Sequence, residues 1–225
     1  PKNGIATGTA TTSSITAVTV PLAPASFAAS PDTSKVSVSW NAVTGTTSAP
    51  VTGYRVYYKQ ASDSLYVLFA ATSSTTLDVT GLTNGVAYDF QVAAYGSAGE
   101  GLRSSVLSIT PLAAPVTITS LSTSLGDQSA TLTWPSAVST TGAPVQQIEV
   151  LKDGSVIATL SSTATTYTAT GLTANTSYTF AVRPKNSVKT ASATSADPIT
   201  AYAIPATPTG VAAAAGDTQI TVSWT

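Results

Sequence analysis

The sequence contains no cysteine, no methionine and no histidine. Without cysteine there is no disulfide framework, no thiol nucleophile and no zinc site of the usual kind. Without histidine as well, most nucleophilic and acid–base constellations cannot be assembled. Charge is scarce too. Charged residues are 8% of the 225, against roughly a quarter in an ordinary soluble protein. The net charge is −1, with no basic block and no acidic tail, so the electrostatic footprint of a nucleic-acid binder is missing. No stretch approaches the ~18 consecutive apolar residues of a membrane span; "VAAAA" at 211–215 is the nearest. No signal peptide is visible.

What is present is apolar and hydroxylic. Hydrophobic residues make up 43%, enough to build cores, and serine and threonine supply roughly a third of the chain. The apolar residues recur in strand-like alternation, which argues against simple disorder.

The chain repeats itself. "LTNGVAYDFQVAAYG" from Leu82 is answered by "LTANTSYTFAVRPKN" from Leu172. "KVSVSW", "SATLTW" and "QITVSW" end at Trp40, Trp134 and Trp224, roughly ninety residues apart. "APVTGYRVYYK" from Ala49 answers "APVQQIEVLKD" from Ala143, and "SITPLAAP" at 108–115 answers "PITAYAIP" at 198–205, with a third copy, "SITAVTVPLAP", at 14–24. The repeat divides the chain into the last strand or strands of one module (1–22), two whole modules (23–113 and 114–204) and the first two strands of another (205–225). The expectation is a window from a longer array, and the missing initial methionine fits a processed chain or a fragment.

Within each module the period is two. Val36, Val38 and Trp40 point one way while Ser37 and Ser39 point the other. Tyr54, Val56 and Tyr58 alternate with Arg55, Tyr57 and Lys59, and Tyr88, Phe90 and Val92 with Asp89 and Gln91. The second module follows with Ala130, Leu132 and Trp134, then Ile148 and Val150, then Tyr178, Phe180 and Val182. Asp153-Gly154 between two strand-like runs signals a two-residue hairpin. No helical spacing persists. The expected class is all-β, a string of β-sandwiches.

These residues resemble the fibronectin type III family over nearly the whole chain: the second-strand tryptophans, Tyr-x-Val in the third strand, and Leu-(x)5-Tyr entering the sixth. The resemblance implies tandem seven-stranded, immunoglobulin-like sandwiches in an extended array. It also implies a tyrosine corner, in which a buried phenol hydroxyl bonds to upstream backbone. The core would then hold Trp40, Tyr54, Leu82, Tyr88, Trp134, Ile148, Leu172 and Tyr178. The family often has proline inside the corner; here Asn84 and Asn175 lie nearby instead.

Chemistry has few footholds. Paired carboxylates are the remaining enzymatic option. Asp78 and Asp89, the nearest pair in sequence, should sit on outward faces of different sheets. "LDV" at 77–79 has the form of a short integrin-recognition tripeptide, but strand alternation assigns Leu77 and Val79 to the core. The aspartates of "PDTS" (31–34), "GDQS" (126–129) and "GDTQ" (216–219) read as turn formers, because a calcium site needs several converging oxygens. No metal or other cofactor is expected. Asn175-Thr176-Ser177 is a sequon at a loop tip and a possible glycosylation site, and the exposed hydroxyls could carry O-linked sugars.

One candidate partner-binding face remains. Arg55, Tyr57, Lys59, Asp89 and Gln91 should share the outer side of two neighbouring strands, with Tyr57 as anchor; cross-strand charge pairing explains the same residues without a ligand. The second module has Gln147, Glu149, Leu151 and Thr179 at these positions. Proline pairs Pro21/Pro24, Pro111/Pro115 and Pro205/Pro208 flank the junctions, predicting semi-rigid spacers. The reading is therefore a non-catalytic structural segment of a secreted or cell-surface bacterial protein: a stalk, fibre, sheath or filament able to assemble laterally. Its partners would be protein, either copies of itself or neighbouring modules, with glycans a further class, and neither nucleic acid nor membrane insertion. The alternatives are spacer modules of a secreted polysaccharide-degrading enzyme and ligand-binding adhesin modules.

Overall fold

A computed structural model describes residues 19–46 and 49–225. Most of the first segment of the repeat scheme, 1–18, lies outside the described residues. The chain divides into two units, Pro1–Ala113 and Ala114–Thr225.

In the first unit the alternating runs become β1 (Ala28–Asp32), β2 (Lys35–Ser39), β3 (Val51–Gln60), β4 (Val67–Thr72), β5 (Thr76–Thr80), β6 (Tyr88–Gly96), β7 (Gly99–Arg103) and β8 (Leu107–Ile109). One sheet has the order β1-β2-β5; the other has β4-β3-β6-β7, with β8 also on β6. The last strand of the sandwich therefore arrives in two pieces. Between them, buried Ser104 bonds to the β6 backbone, its N–H donating to Val92 O at 2.8 Å and its hydroxyl accepting from Val92 N–H at 3.1 Å. The core is the inward half of each alternation: Val36, Val38 and Trp40 against Tyr54, Val56, Tyr88, Phe90 and Val92.

The second unit repeats this with β9 (Ser122–Gly126), β10 (Ser129–Thr133), β11 (Gln147–Lys152), β12 (Ser155–Ser161) and β13 (Thr166–Thr170), then β14 (Ser177–Tyr178), β15 (Phe180–Lys185), β16 (Thr194–Ser195) and β17 (Ile199–Thr200). Its sheets are β13-β10-β9 and β12-β11-β15-β16, with β14 paired to β17. Trp134, Leu132, Ile148, Leu172, Phe180 and Val182 form its core. The β11–β12 turn carries Asp153 at φ 50° and Gly154 at φ 79°, the double positive φ of a tight hairpin. A final hairpin, β18 (Ala212–Gly216) with β19 (Gln219–Ser223), leaves Ile220 and Trp224 71% and 63% exposed. Among the described residues no helix is long and apolar enough to cross a membrane.

Of the expected core residues, Trp40, Tyr54, Leu82, Tyr88, Trp134, Ile148 and Leu172 are buried, while Tyr178 is half-buried. The two corner phenols behave alike: Tyr88 Oη accepts from Thr83 N–H and Tyr178 Oη from Thr173 N–H, each at 3.1 Å. Burial separates their energetic weight. Tyr88→Phe removes a buried acceptor and should cost the first sandwich about 1.5 kcal/mol, whereas Tyr178→Phe removes a more exposed one and should cost less. Urea midpoints of the two variants check the ranking.

Gly101 is dictated by contact. A Cβ on Gly101 would lie 2.0 Å from Pro21 O, so only glycine lets the arriving segment lie against β7.

Candidate interaction face

Pairing of β3 with β6 sets Arg55 opposite Ala93, Tyr57 opposite Gln91 and Lys59 opposite Asp89. The five residues of the candidate face thus share one side of the sheet. Alternation also sends Ala93 outward between Val92 and Ala94, yet Ala93 is 0% exposed. It is roofed by the long side chains around it, because β7 sets Arg103 opposite the same alanine from the other flank.

The β6–β7 hairpin completes the face with two residues that sequence alone did not single out. Glu100 accepts from Arg55 Nη1 at 2.7 Å, and the Tyr57 hydroxyl donates to it, 2.8 Å from both carboxylate oxygens. The Arg103 guanidinium lies 3.7 Å over the Tyr57 ring, and Arg55 lies 4.8 Å over Tyr95, cation–π contacts across the strands. Tyr57 is consequently only 9% exposed. Lys59 Nζ lies 2.9 Å from Asp89 Oδ2 and also donates to Asp63 O at 2.9 Å. Gln91 Nε2 donates to Ser104 O at 3.0 Å.

Electrostatics follow from these contacts. Burial pushes the Glu100 carboxyl up, but the hydrogen bonds from Arg55 and Tyr57 outweigh it and hold the group below its ordinary value. The Tyr57 phenol is raised, first by burial and then by Glu100. Asp89 is held low by the Ser108 hydroxyl and then by Lys59. The Tyr66 hydroxyl is buried with no hydrogen-bond partner among the described residues, and burial raises its phenol. The arrangement is a closed network of cations, phenols and carboxylates that joins β3 to β7 across β6.

Asp78 does not join it. It sits on β5, in the other sheet, and accepts from Ser37 and Lys35; within the same tripeptide Val79 is 0% exposed. The second sandwich builds a different cluster. Glu149, only 7% exposed, accepts from Arg183 Nε at 2.8 Å and lies 2.7 Å from Lys185 Nζ. Arg183 and Lys185 were not singled out by sequence either, although strand register opposes Glu149 to Arg183. Leu151 is buried, and Thr179 N–H donates to Asp153 Oδ1. Asn175 is exposed at φ 61°.

The hairpin aspartates divide. Asp32 Oδ1 accepts from the adjacent Thr33 N–H, as a turn former does. Asp127 Oδ1 instead accepts from Ile204 N–H, 77 residues away, at 2.9 Å. Among the described residues no group of three or more acidic side chains converges as a metal site would require.

The family model for the fibronectin type III domain matches residues 22–110 and 114–201. Among curated proteins, chitinase A1 of Niallia circulans is 33% identical over 169 residues, 71% of this chain and 22% of that protein. Exoglucanase B of Cellulomonas fimi is 30% identical over 224 residues, 92% of this chain and 20% of that protein. The chain therefore spans about a fifth of the length of these relatives. A crystal structure of the FN1–FN3 domains of chicken CNTN1 matches with a TM-score of 0.58 at 14% identity, covering 82% of this chain and 69% of that one. At that identity the match speaks for the fold alone.

Proposed function

The chain belongs to the fibronectin type III family, and from that premise we propose that it is a non-catalytic spacer segment of a secreted bacterial protein. The observation that carries the reading is Tyr57. The anchor expected of the candidate face lies beneath Arg103 with its hydroxyl on Glu100, so the face meets its own needs before any partner arrives. Its groups spend their binding capacity on holding the sheet together.

The resemblance to chitinase A1 and exoglucanase B favours one setting, the accessory segment of an extracellular polysaccharide-degrading enzyme. A laterally assembling filament would use the free edges β4 and β12, where Val67 and Val156 are 59% and 46% exposed. Both edges pair with their neighbours across a β-bulge, which twists an edge away from a flat template and discourages such assembly.

The test is co-sedimentation of the 225-residue chain with insoluble chitin and with cellulose. The spacer reading expects the protein to stay in the supernatant and to release no reducing sugar. Retention by either polysaccharide, or sugar release, would overturn it.

A further inference from the structure

The turn between β9 and β10 does more than reverse the chain. We propose that its aspartate is a clamp on the segment leaving the module.

Three bonds meet at this turn. Asp127 Oδ1 accepts from Ile204 N–H at 2.9 Å, Gln128 N–H donates to Tyr202 O at 2.9 Å, and Gln128 O accepts from Leu172 N–H at 2.9 Å. Asp127 and Tyr202 form a parallel bridge, so the departing chain is added beside the turn as one more short strand. Gln128 holds φ 41° to present both of its backbone groups. Just upstream, Ala201 is bonded on both sides, its N–H donating to Thr176 O and its O accepting from Asn175 N–H. The anchorage of 199–204 is thus continuous from β17 to Ile204.

What the clamp holds is main chain. The Ile204 side chain is 63% exposed and contributes little burial. The carboxylate sets where the fixed chain stops, and Pro205 follows it at once. The next backbone bonds join Thr209 to Thr225, at the open end of the final hairpin. Only the short run from 205 to 208, with a proline at each end, is left to swivel. A clamp that shortens the free linker restricts the directions available to whatever follows. The final hairpin repeats the pair, Asp217 followed by Thr218 at φ 59°; in the first sandwich Asp32 sits one turn position earlier, and Ser34 N–H donates to Asn84 Oδ1 instead.

The inference rests on the spacer reading for its purpose, but its test is separate from the polysaccharide assay. Amide exchange and heteronuclear NOEs are measured on the ¹⁵N-labelled 225-residue chain. In the parent, Ile204 N–H should exchange several-fold more slowly than the amides of 206 and 207. Asp127→Ala should raise Ile204 exchange about tenfold and lower the NOEs of 203–207, leaving Phe180 and Val182 protected. Asp127→Asn, which keeps an acceptor oxygen, should restore part of the protection, and Asp217→Ala should leave Ile204 unchanged. Ile204 protection that is absent in the parent, or equal in the parent and both Asp127 variants, would overturn the clamp. So would equal loss in Asp217→Ala.

Discussion

Trp134→Ala should unfold the second sandwich early while leaving the first untouched. The indole is 3% exposed and sits among Leu132, Ile148, Leu172, Phe180 and Val182. Removing a ring of this size from a close-packed core costs about 4 kcal/mol, the lost transfer energy plus the cavity left behind. The tryptophan also holds chain: its Nε1–H donates to Ala164 O at 2.8 Å and its backbone N–H to Thr165 O at 2.9 Å. Only the first of these goes with the side chain, but it leaves the Ala164 carbonyl without that donor. Against a typical domain stability of about 5–15 kcal/mol, the melting point of this sandwich should fall by about 20 °C. Trp40, its counterpart, packs edge-on against Tyr54 at 5.4 Å and belongs to a cluster that contains no residue of the second core. Calorimetry should therefore show one transition displaced and one in place. A joint shift of both would mean that the two sandwiches share a cooperative core.

The contrast between the two tryptophans marks what the sequence could and could not reveal. That both belong to cores follows from period-two alternation, which ties side-chain direction to the strand itself. The corner tyrosines are equally local, since Leu82 to Tyr88 and Leu172 to Tyr178 are single short segments. The interaction face is another matter. Alternation sends Tyr57 outward, but its cover comes from Arg103 and Glu100 on β7, more than forty residues on, within a glycine-rich hairpin whose composition signals only a turn. Asp127 escaped for the same reason: an aspartate in a turn has a sufficient local explanation, and its partner Ile204 is brought near only when the sandwich closes. Glu149 was visible as a charge in a strand. Its burial, and its two cations on β15, depend on register, which no run of residues displays alone.

That buried carboxylate sets the second large effect. Glu149→Ala should cost the second sandwich about 3 kcal/mol, because it leaves the Arg183 and Lys185 charges side by side with their shared counter-charge gone. Glu149→Gln keeps the volume and one acceptor and should recover part of the loss. Acid supplies an independent reading of the same group. Hydrogen bonding to Lys185, then to Arg183, outweighs burial and holds the Glu149 carboxyl below its ordinary value, so folding favours the ionised form. The unfolded chain begins to take up this proton near pH ~4.3, while the folded sandwich resists until lower pH. The stabilisation is therefore complete above that value, declines as pH falls below it, and is gone once pH drops through the folded pKa. Urea midpoints of the second transition, followed by Trp134 fluorescence from pH 7 to pH 3, should be flat in this respect down to about pH 5 and then drop. In Glu149→Gln the drop should be shallower, since the group that links protons to folding has been removed. Equal acid sensitivity in the parent and in Glu149→Gln would show that the pair of cations does not depend on this carboxylate.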